Sequence, residues 1–247
     1  MNHDSTPSSH SATPEGLEIF QQWDMYDRIV YGNWMRHREL WEALNRVVLN
    51  HQRPIHVLDV GSGDGVMAFG GLQNHPIESY TALDLSLDAL QRMKAKSGPG
   101  TAGVECQRRA VHGDFTQTIK DQPQSHFDLA ICSFSLHHLS LGHKRSMLLD
   151  LIDVIVSGGQ LIWIDTYLGE SEARNEFLQR LEKVIVNEWV TLTAEERKDA
   201  VEHIWSSDFP ESEPEMERLM TETGFLTPHR VWNDELFCMW EARVLHA

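Results

Sequence analysis

The sequence predicts an α/β fold: a doubly wound, mostly parallel seven-stranded sheet with a helical cap and a C-terminal antiparallel hairpin. Short apolar runs alternate with amphipathic segments of helical period, a pattern typical of parallel sheets with helices on both faces. A glycine-rich turn follows the first of these runs, as in folds that bind a ligand at one edge of the sheet. Near the C-terminus, Asn233–Asp234 joins two further strand-like runs and favours a hairpin.

Each element of this fold is predicted from the period of its apolar residues and from the turn residues beside it. The parallel strands are predicted at 55–60, 79–85, 104–110, 128–134 and 160–165. The helices before and between them are predicted as two within 18–50, separated at Gly32–Asn33, and one each at 66–73, 87–96 and 142–156. The last third predicts helices at 170–189, 192–205 and 214–223 and hairpin strands at 225–232 and 235–244.

These elements are expected to form one domain over residues 16–247, after a disordered tail at 1–15. The tail is rich in Ser, Thr, Pro and His, and it lacks the basic start and the apolar stretch of a signal peptide. Within the domain we expect a helical segment at 16–53, a ligand-binding core at 54–167, a helical cap at about 168–210, and a closing helix and hairpin at 211–247.

The composition excludes several classes of partner. Asp and Glu total 37 against 21 Lys and Arg, which gives a formal net charge of −16 and a poor match for nucleic acid. No apolar run approaches the ~20 residues that span a bilayer. The three cysteines are widely spaced and form no CxxC pair, which predicts buried thiols in a reducing cytoplasm. We therefore expect a cytoplasmic protein that binds neither nucleic acid nor membrane, and the oligomeric state is left open.

The glycine-rich stretch VLDVGSGDGV spans residues 57–66 and forms the turn after the first strand. Gly61, Gly63 and Gly65 let the backbone approach a ligand, and the following helix offers free N–H groups. A Walker loop is excluded because no lysine follows the glycines. With Asp59 in front, the pattern is acid-x-G-x-G-x-G, which suits a positively charged ligand that has no phosphate.

A dinucleotide site is the alternative for this loop, and two residues argue against it. Val66 takes the third small position of a GxGxxG fingerprint, where it hinders close packing of strand and helix. Asp64 lies near the expected pyrophosphate and repels it. A nicotinamide oxidoreductase is therefore disfavoured.

The stretch VLDVGSGDG resembles motif I of the class I S-adenosylmethionine-dependent methyltransferases. Later stretches fall where that family has its other motifs, namely ALDLS with Asp84, HGDF with Asp114, FDLAICSFSLHHL with Ser133, and SGGQLIWID at the fifth strand. GF followed by two strands is similar to the family's closing hairpin. The resemblance covers roughly residues 55–244, and it implies a Rossmann-like fold and S-adenosylmethionine as the cofactor.

The resemblance also assigns residues to the cofactor. Asp84 is expected to accept hydrogen bonds from both ribose hydroxyls. Asp114, with Phe115 beside it, is expected at the adenine, and the backbone at Ser133 is expected along the methionine moiety. The full set of predicted cofactor residues within the core is Asp59, Gly61, Ser62, Gly63, Gly65, Asp84, Leu85, Asp114, Phe115 and Ser133.

Methyl transfer is an in-line displacement, so the protein must orient the acceptor and exclude water. Acceptor contacts are expected at the carboxyl ends of the fourth and fifth strands. There His137 and His138 are candidate bases for an acceptor that carries a proton, and Asp165 is a candidate to orient an amine or hydroxyl. The alternatives are a histidine that only braces the loop and an acid that only belongs to a turn.

No metal site is predicted near these histidines. His143 follows His137 and His138 at helical distance, but no Asp or Glu stands at a matching position to complete a set of ligands.

The N-terminal segment and the cap carry aromatic residues that are candidates for a lid over the acceptor. Core packing is the alternative for most of them. We single out Tyr31 and Arg36 as further cofactor-binding candidates, with Arg36 as the partner of the cofactor's carboxylate or else a surface charge. The other lid candidates are Trp23, Tyr26, Trp34, Trp189 and Trp205.

The sequence therefore predicts an enzyme that transfers a methyl group from S-adenosylmethionine to a small-molecule acceptor, at O, N, S or C. One alternative is an enzyme that uses S-adenosylmethionine for other chemistry, such as formation of carboxy-S-adenosylmethionine, although the ligand-binding arginine of that enzyme has no match here. A second alternative is a non-catalytic module that binds S-adenosylmethionine.

Overall fold

The structure is a computed structural model that describes residues 23–99 and 106–246. The predicted tail at 1–15, the start of the first predicted helix and the 100–105 part of the loop before the third strand lie outside these residues. Within the two described ranges, no helix has the length and apolar character that crossing a bilayer requires.

The helices and strands alternate along the chain much as predicted. The helices are α1 (Trp23–Gly32), α2 (His37–Val48), α3 (Val66–Gly71), α4 (Leu87–Ala95), α5 (Phe115–Thr118), α6 (Leu141–Val154), α7 (Arg174–Glu188), α8 (Ala194–Ser207) and α9 (Glu213–Thr223). The strands are β1 (Ile55–Val60), β2 (Ile77–Asp84), β3 (Gln107–His112), β4 (Phe127–Ser133), β5 (Ile155–Leu168), β6 (Glu211–Ser212), β7 (Leu226–Asn233) and β8 (Phe237–Arg243).

The strands form one sheet in the order β3-β2-β1-β4-β5-β8-β7. The first five run parallel, while β8 pairs antiparallel with both β5 and β7, so the predicted seven-stranded sheet with a closing hairpin is confirmed. The two-residue β6 adds a short parallel pairing at the end of β5, with Tyr167 opposite Glu211. The chain switches direction across the sheet between β1 and β4, and ligands bind at the carboxyl ends of the strands at such a point.

β5 is longer than predicted. Residues 155–159, which precede the predicted strand, also belong to β5, and Gly158 there has a φ of 84°. The strand continues to Leu168 because β8 pairs with it as far as Thr166 and β6 pairs with it beyond that point. These partners come from the end of the chain, so the local sequence did not indicate the full strand.

Helices cover both faces of the sheet, and each face has its own apolar core. One buried cluster joins the sheet to α6 and α9, and a second joins it to α2, α3 and α4. A third cluster packs α1, α7 and α8 together around Phe177 and Phe237. Since Phe237 pairs with Thr166 near the carboxyl end of β5, the N-terminal helix and the helical cap meet on the ligand side of the sheet.

Candidate active site

The glycine loop between β1 and α3 has a backbone that only glycine adopts freely. Gly61, Gly63 and Gly65 have φ angles of 64°, 54° and 77°, all in the left-handed region. A Cβ placed on Gly61 would lie 2.4 Å from the Cβ of Ser135 and 3.6 Å from the ring of Phe115. The loop is therefore in close contact with the segments that follow β4 and β3, which carry other predicted cofactor residues.

Asp84 ties the end of β2 to this loop. Its Oδ2 accepts the Gly63 N–H at 2.7 Å, and its Oδ1 accepts the Ser86 N–H at 2.8 Å. Burial raises the pKa of Asp84, and these two hydrogen bonds act in the opposite direction. Each carboxylate oxygen retains a second lone pair, so the carboxylate fits the predicted role of accepting from ribose hydroxyls.

Asp59, near the end of β1, is a buried carboxylate that is only 1 % exposed. The Tyr80 hydroxyl donates to Oδ2, while Oδ1 has no hydrogen-bond partner in the part of the chain that the structure describes. Burial raises the pKa of Asp59 to about 7, and the hydrogen bond from Tyr80 opposes that shift. An orphaned carboxylate oxygen beside the loop fits a cofactor that brings positive charge, as S-adenosylmethionine does, and does not fit a pyrophosphate.

Asp64 has partners that the sequence did not indicate. Its carboxylate forms an ion pair with Lys96 and lies 4.0 Å from Arg92, and its Oδ1 accepts the N–H of Val66 at 3.2 Å. The charge of this acid is therefore balanced within the protein, and its carboxylate accepts a backbone N–H at the start of α3. Between Asp59 of β1 and Asp64 of the loop, Asp59 is therefore the acid with a carboxylate oxygen that has no partner among the described residues and can face a cationic ligand.

The remaining predicted cofactor residues of the core fall on either side of this loop. Asp114 is exposed and starts α5, where its Oδ1 accepts two hydrogen bonds of 2.8 Å. Leu85 follows β2 and is 41 % exposed. Ser62 and Ser133 are buried at the ends of the loop and of β4.

Trp23 and Tyr26 of α1, two of the lid candidates, lie near the glycine loop and its acids. The Trp23 ring is 3.9 Å from the position of a Cβ on Gly63. The Tyr26 hydroxyl is 3.3 Å from Nε2 of His37, and burial followed by the nearby Asp64 carboxylate raises the Tyr26 pKa. The aromatic residues of α1 therefore lie beside the glycine loop.

Tyr31 and Arg36 lie where α1 leads into α2. Tyr31 is 79 % exposed, and the Arg36 guanidinium forms an ion pair of 2.6 Å with Asp234 in the β7–β8 turn. Trp34 donates to the hydroxyl of Thr191, at 2.7 Å, which joins this segment to the cap. Contacts of Tyr31 and Arg36 with the cofactor stay predictions.

The three predicted catalytic residues come together at the carboxyl ends of β4 and β5. Nδ1 of His137 hydrogen-bonds Oδ1 of Asp165, and the His137 backbone N–H donates to Oδ2 at 3.1 Å. Asp165 also accepts the Trp163 indole N–H and the Thr166 N–H, each at 3.0 Å. Burial alone would lower the pKa of His137, but Asp165 and then Asp208 raise it above its ordinary value.

Asp208, which the sequence interpretation missed, completes this cluster from the end of α8. Its Oδ1 lies 3.5 Å from Nε2 of His137, 3.5 Å from Nδ1 of His138 and 3.9 Å from Nε2 of His203. Burial raises the pKa of Asp208 to about 6, an effect that His137 opposes. Burial, followed by His137 and His203, lowers the pKa of His138 well below its ordinary value. No local pattern marked Asp208, because only the tertiary fold brings the cap to β4.

The 207–212 segment holds the cap over this cluster. The N–H of Phe209 donates to the carbonyl of His137 at 2.7 Å, and β6 pairs with β5 just beyond. Lys144 of α6, only 1 % exposed, donates to the Phe209 carbonyl and, at 2.6 Å, to Glu211. The cluster is therefore covered by the chain itself, with the His138 side chain 19 % exposed and those of His137 and Asp208 at 8 % and 5 %.

Comparison with known proteins identifies a methyltransferase domain in this chain. Residues 57–159 match the methyltransferase domain family. An uncharacterized methyltransferase from Anoxybacillus flavithermus is 27 % identical over 165 residues, which cover 64 % of this chain and 71 % of that protein.

Solved structures share the fold at low sequence identity. YcgJ from Bacillus subtilis has a TM-score of 0.57 at 13 % identity, over 83 % of this chain and 99 % of its own. The magnesium protoporphyrin IX methyltransferase of Synechocystis, solved with bound SAH, has a TM-score of 0.59 at 15 % identity, over 94 % and 95 % of the two chains. The loop, the strand order and the domain match together support a class I S-adenosylmethionine-dependent methyltransferase that uses S-adenosylmethionine as its cofactor.

Proposed function

We propose that this methyltransferase acts on a small-molecule acceptor, bound where β4 and β5 end beneath the cap. The observation that carries the proposal is the cover over the His137–Asp165 pair, formed by the 207–212 segment and fixed by Lys144. A compact acceptor can enter a site covered by the chain, whereas the surface of a folded macromolecule cannot follow it there. The formal charge of −16 further disfavours nucleic acid as the acceptor.

We propose that the cofactor lies along the glycine loop from Asp84 to Asp59. When bound, it supplies an activated methyl group on a sulfonium, so the protein needs no further electrophile. Asp84 accepts from the ribose, Asp114 and Phe115 flank the adenine, and Asp59 complements the positive charge of the methionine end. Tyr31 and Arg36 remain candidates for the rim of this site.

The second task of the site is to remove a proton from the acceptor. We propose His138 as the group that takes it, because it is the most exposed member of the cluster and its low pKa keeps the imidazole neutral near pH 7. His137 and Asp165 hold the loop that carries His138. An acceptor that has lost its proton before binding would need no base, and the site would only have to orient it.

The cofactor assignment is tested by thermal unfolding with S-adenosylmethionine, SAH, NAD and NADP. We expect the two sulfur ligands to raise the Tm of the wild type and the two dinucleotides to leave it unchanged. Asp84→Ala should abolish the shift, while Asp88→Ala, an exposed acid four residues along the same segment, should keep it. A Tm shift with SAH that survives Asp84→Ala would contradict the proposed ribose contact.

The acceptor class is tested by following SAH release with a panel of small alcohols, phenols, amines, thiols and carboxylates. Fractions of RNA and of protein serve as macromolecular acceptors. Turnover with a small molecule supports the proposal, and turnover confined to a macromolecular fraction would refute it. The two alternatives give other results: a binding module releases no SAH with any acceptor, and an enzyme of carboxy-S-adenosylmethionine type consumes the cofactor without releasing SAH.

We also propose a cytoplasmic location. Cys106, Cys132 and Cys238 are free thiols, with Cys132 and Cys238 buried, which suits a reducing compartment.

A further inference from the structure

We propose that His137, His138 and Asp208 form a binding site for one divalent transition-metal ion of the zinc type. The three residues come from two distant parts of the chain, the turn after β4 and the residue after α8, and each offers a ligand atom within 4.8 Å of the others. The sequence predicted no metal site because no acid stands near the histidines along the chain. The fold supplies that acid from the cap.

The spacing of the ligand atoms matches a tetrahedral ion. Zinc binds imidazole nitrogen and carboxylate oxygen at about 2.0–2.2 Å, which places neighbouring ligands of a tetrahedron about 3.4 Å apart. Asp208 Oδ1 lies 3.5 Å from Nε2 of His137 and 3.5 Å from Nδ1 of His138, with Nε2 of His203 at 3.9 Å. These separations exceed an ordinary hydrogen bond and lie close to the edge of a zinc tetrahedron.

The imidazole of His137 is oriented as metal-binding histidines are. Its Nδ1 is committed to the Asp165 carboxylate, which leaves Nε2 to face Asp208. A histidine ligand characteristically donates its other ring N–H to a carboxylate, which fixes the tautomer and increases the basicity of the ligand nitrogen. Asp165 is itself held by the indole N–H of Trp163 and by two backbone N–H groups, so this arrangement is rigid.

Asp208 supplies an independent observation. The residue is 4 % exposed, and its Oδ1, the atom that the imidazoles surround, has no hydrogen-bond partner among the described residues. Burying a carboxylate oxygen without a partner is costly, and a cation at this position would remove the cost. Arg174 binds the backbone carbonyl of Asp208 at 2.6 Å, and Lys144 binds the 207–212 segment, so both nearby cations have other partners.

His138 decides between a metal ion and a proton at this site. Its Nδ1 is 3.1 Å from the carbonyl of Ser207 and 3.5 Å from Asp208, so the tautomer protonated at Nδ1 donates to that carbonyl. The other tautomer leaves a lone pair on Nδ1, and it binds the ion once the imidazole turns from the Ser207 carbonyl toward Asp208. A proton on Nε2 of His137 would compete with the metal ion, because it too places positive charge between the carboxylates of Asp165 and Asp208. Bound metal therefore displaces that proton.

The ion would deepen the proposed methyl transfer, and this part rests on that proposed function. An acceptor oxygen or sulfur bound to the ion loses its proton at a lower pH than it does in water, since the cation stabilises the anion. With the ion bound, the lone pair of His138 is committed to the metal, so the ion replaces His138 as the group that activates the acceptor and the proton leaves to solvent. Acceptors with a hydroxyl or thiol are the class that gains most from such an ion.

Metal binding is tested without turnover, so its outcome is separate from that of the proposed function. The full-length chain without an affinity tag is treated with a chelator, and Zn²⁺ is titrated against a chromophoric competitor while Co²⁺ is followed by visible absorption. We expect one Zn²⁺ per chain and intense tetrahedral bands with Co²⁺. Asp208→Asn and His138→Gln should each abolish the Co²⁺ bands, and Asp165→Asn should weaken Zn²⁺ binding by about 10–100-fold.

His143→Ala is the matched control, because this neighbouring histidine is exposed and hydrogen-bonds Ser140. It should bind Zn²⁺ as the wild type does. Retention of the SAH-induced rise in Tm verifies that each variant is folded. The proposal is overturned if the wild type shows no tetrahedral Co²⁺ spectrum, or if Asp208→Asn and His138→Gln, both folded, bind Zn²⁺ unchanged. Methyl transfer that persists without metal would remove the role of the ion in acceptor activation.

Discussion

Asp59→Asn should stabilise the protein without cofactor at alkaline pH while weakening its binding of S-adenosylmethionine. The wild-type carboxylate is buried, and one of its oxygens has no hydrogen-bond partner among the residues described. Asparagine has nearly the same shape and still accepts from Tyr80, but it carries no charge to be desolvated. The substitution therefore removes the free-energy cost of burying the charge, and it also removes the attraction of that charge for a cationic ligand.

The magnitude follows from the shift of the Asp59 pKa from 3.8 to about 7. Between these two values the folded protein holds a proton that the unfolded chain has released, so the free energy of unfolding falls as pH rises through this window. One pKa unit corresponds to about 1.4 kcal/mol, so the wild type should lose about 3 kcal/mol relative to Asp59→Asn between pH 5 and pH 8. Above the folded pKa the difference stays constant.

The assay is denaturant unfolding of both proteins at pH 5, 6, 7 and 8, compared as the difference between them at each pH. Other titrating groups cancel in this difference. Asp128→Asn is the control, because this buried acid of β4 is paired with Arg53 and accepts the His56 N–H, so its loss should destabilise the protein. A difference between wild type and Asp59→Asn that does not change from pH 5 to pH 8 would refute the reasoning. If Asp59→Asn binds S-adenosylmethionine with the same affinity as the wild type, the proposed contact between Asp59 and the cofactor is refuted.

Two further substitutions test the loop and the cap. Gly61→Ala should lower the free energy of unfolding by about 2 kcal/mol or more and abolish the SAH-induced rise in Tm, because φ is 64° and the new Cβ meets Ser135. The control Gly142→Ala has open space around its Cβ and should be neutral or stabilising. Equal destabilisation by the two substitutions would contradict the role of packing at Gly61. Lys144→Met should cost about 3 kcal/mol in denaturant unfolding because it leaves Glu211 and the Phe209 carbonyl without their donor. Lys198→Met, at an exposed ion pair, should cost about 0.5 kcal/mol or less, and a similar cost for both lysines would show that burial of Lys144 is not what matters.

The glycine loop and its neighbour Asp84 were predictable because their determinants are local in sequence. Three glycines in alternate positions after a strand are the residues that a left-handed loop requires, and Asp84 follows the next strand directly. The strand order then brings these turns to one edge, since parallel strands expose their carboxyl ends together.

The acceptor side was predictable only in part, because its contacts join distant segments. His137 and Asp165 were expected near each other, since they follow adjacent strands. Asp208 was not expected, because it reaches the histidines from the end of a cap helix that has no fixed place in the sequence pattern. The ion pair of Asp64 with Lys96 was missed for the same reason, and it balances a charge that the sequence left unpaired.

The match to the methyltransferase domain ends at residue 159, and the contact between His137 and Asp208 crosses that boundary. The imidazole lies inside the matched residues 57–159, and the carboxylate lies outside them. If caps diverge between relatives while the cofactor half is kept, the residue opposite His137 is where a constant part of the fold contacts a variable part. Related chains would then be sorted by chemistry more usefully through what stands opposite their histidine than through their overall similarity.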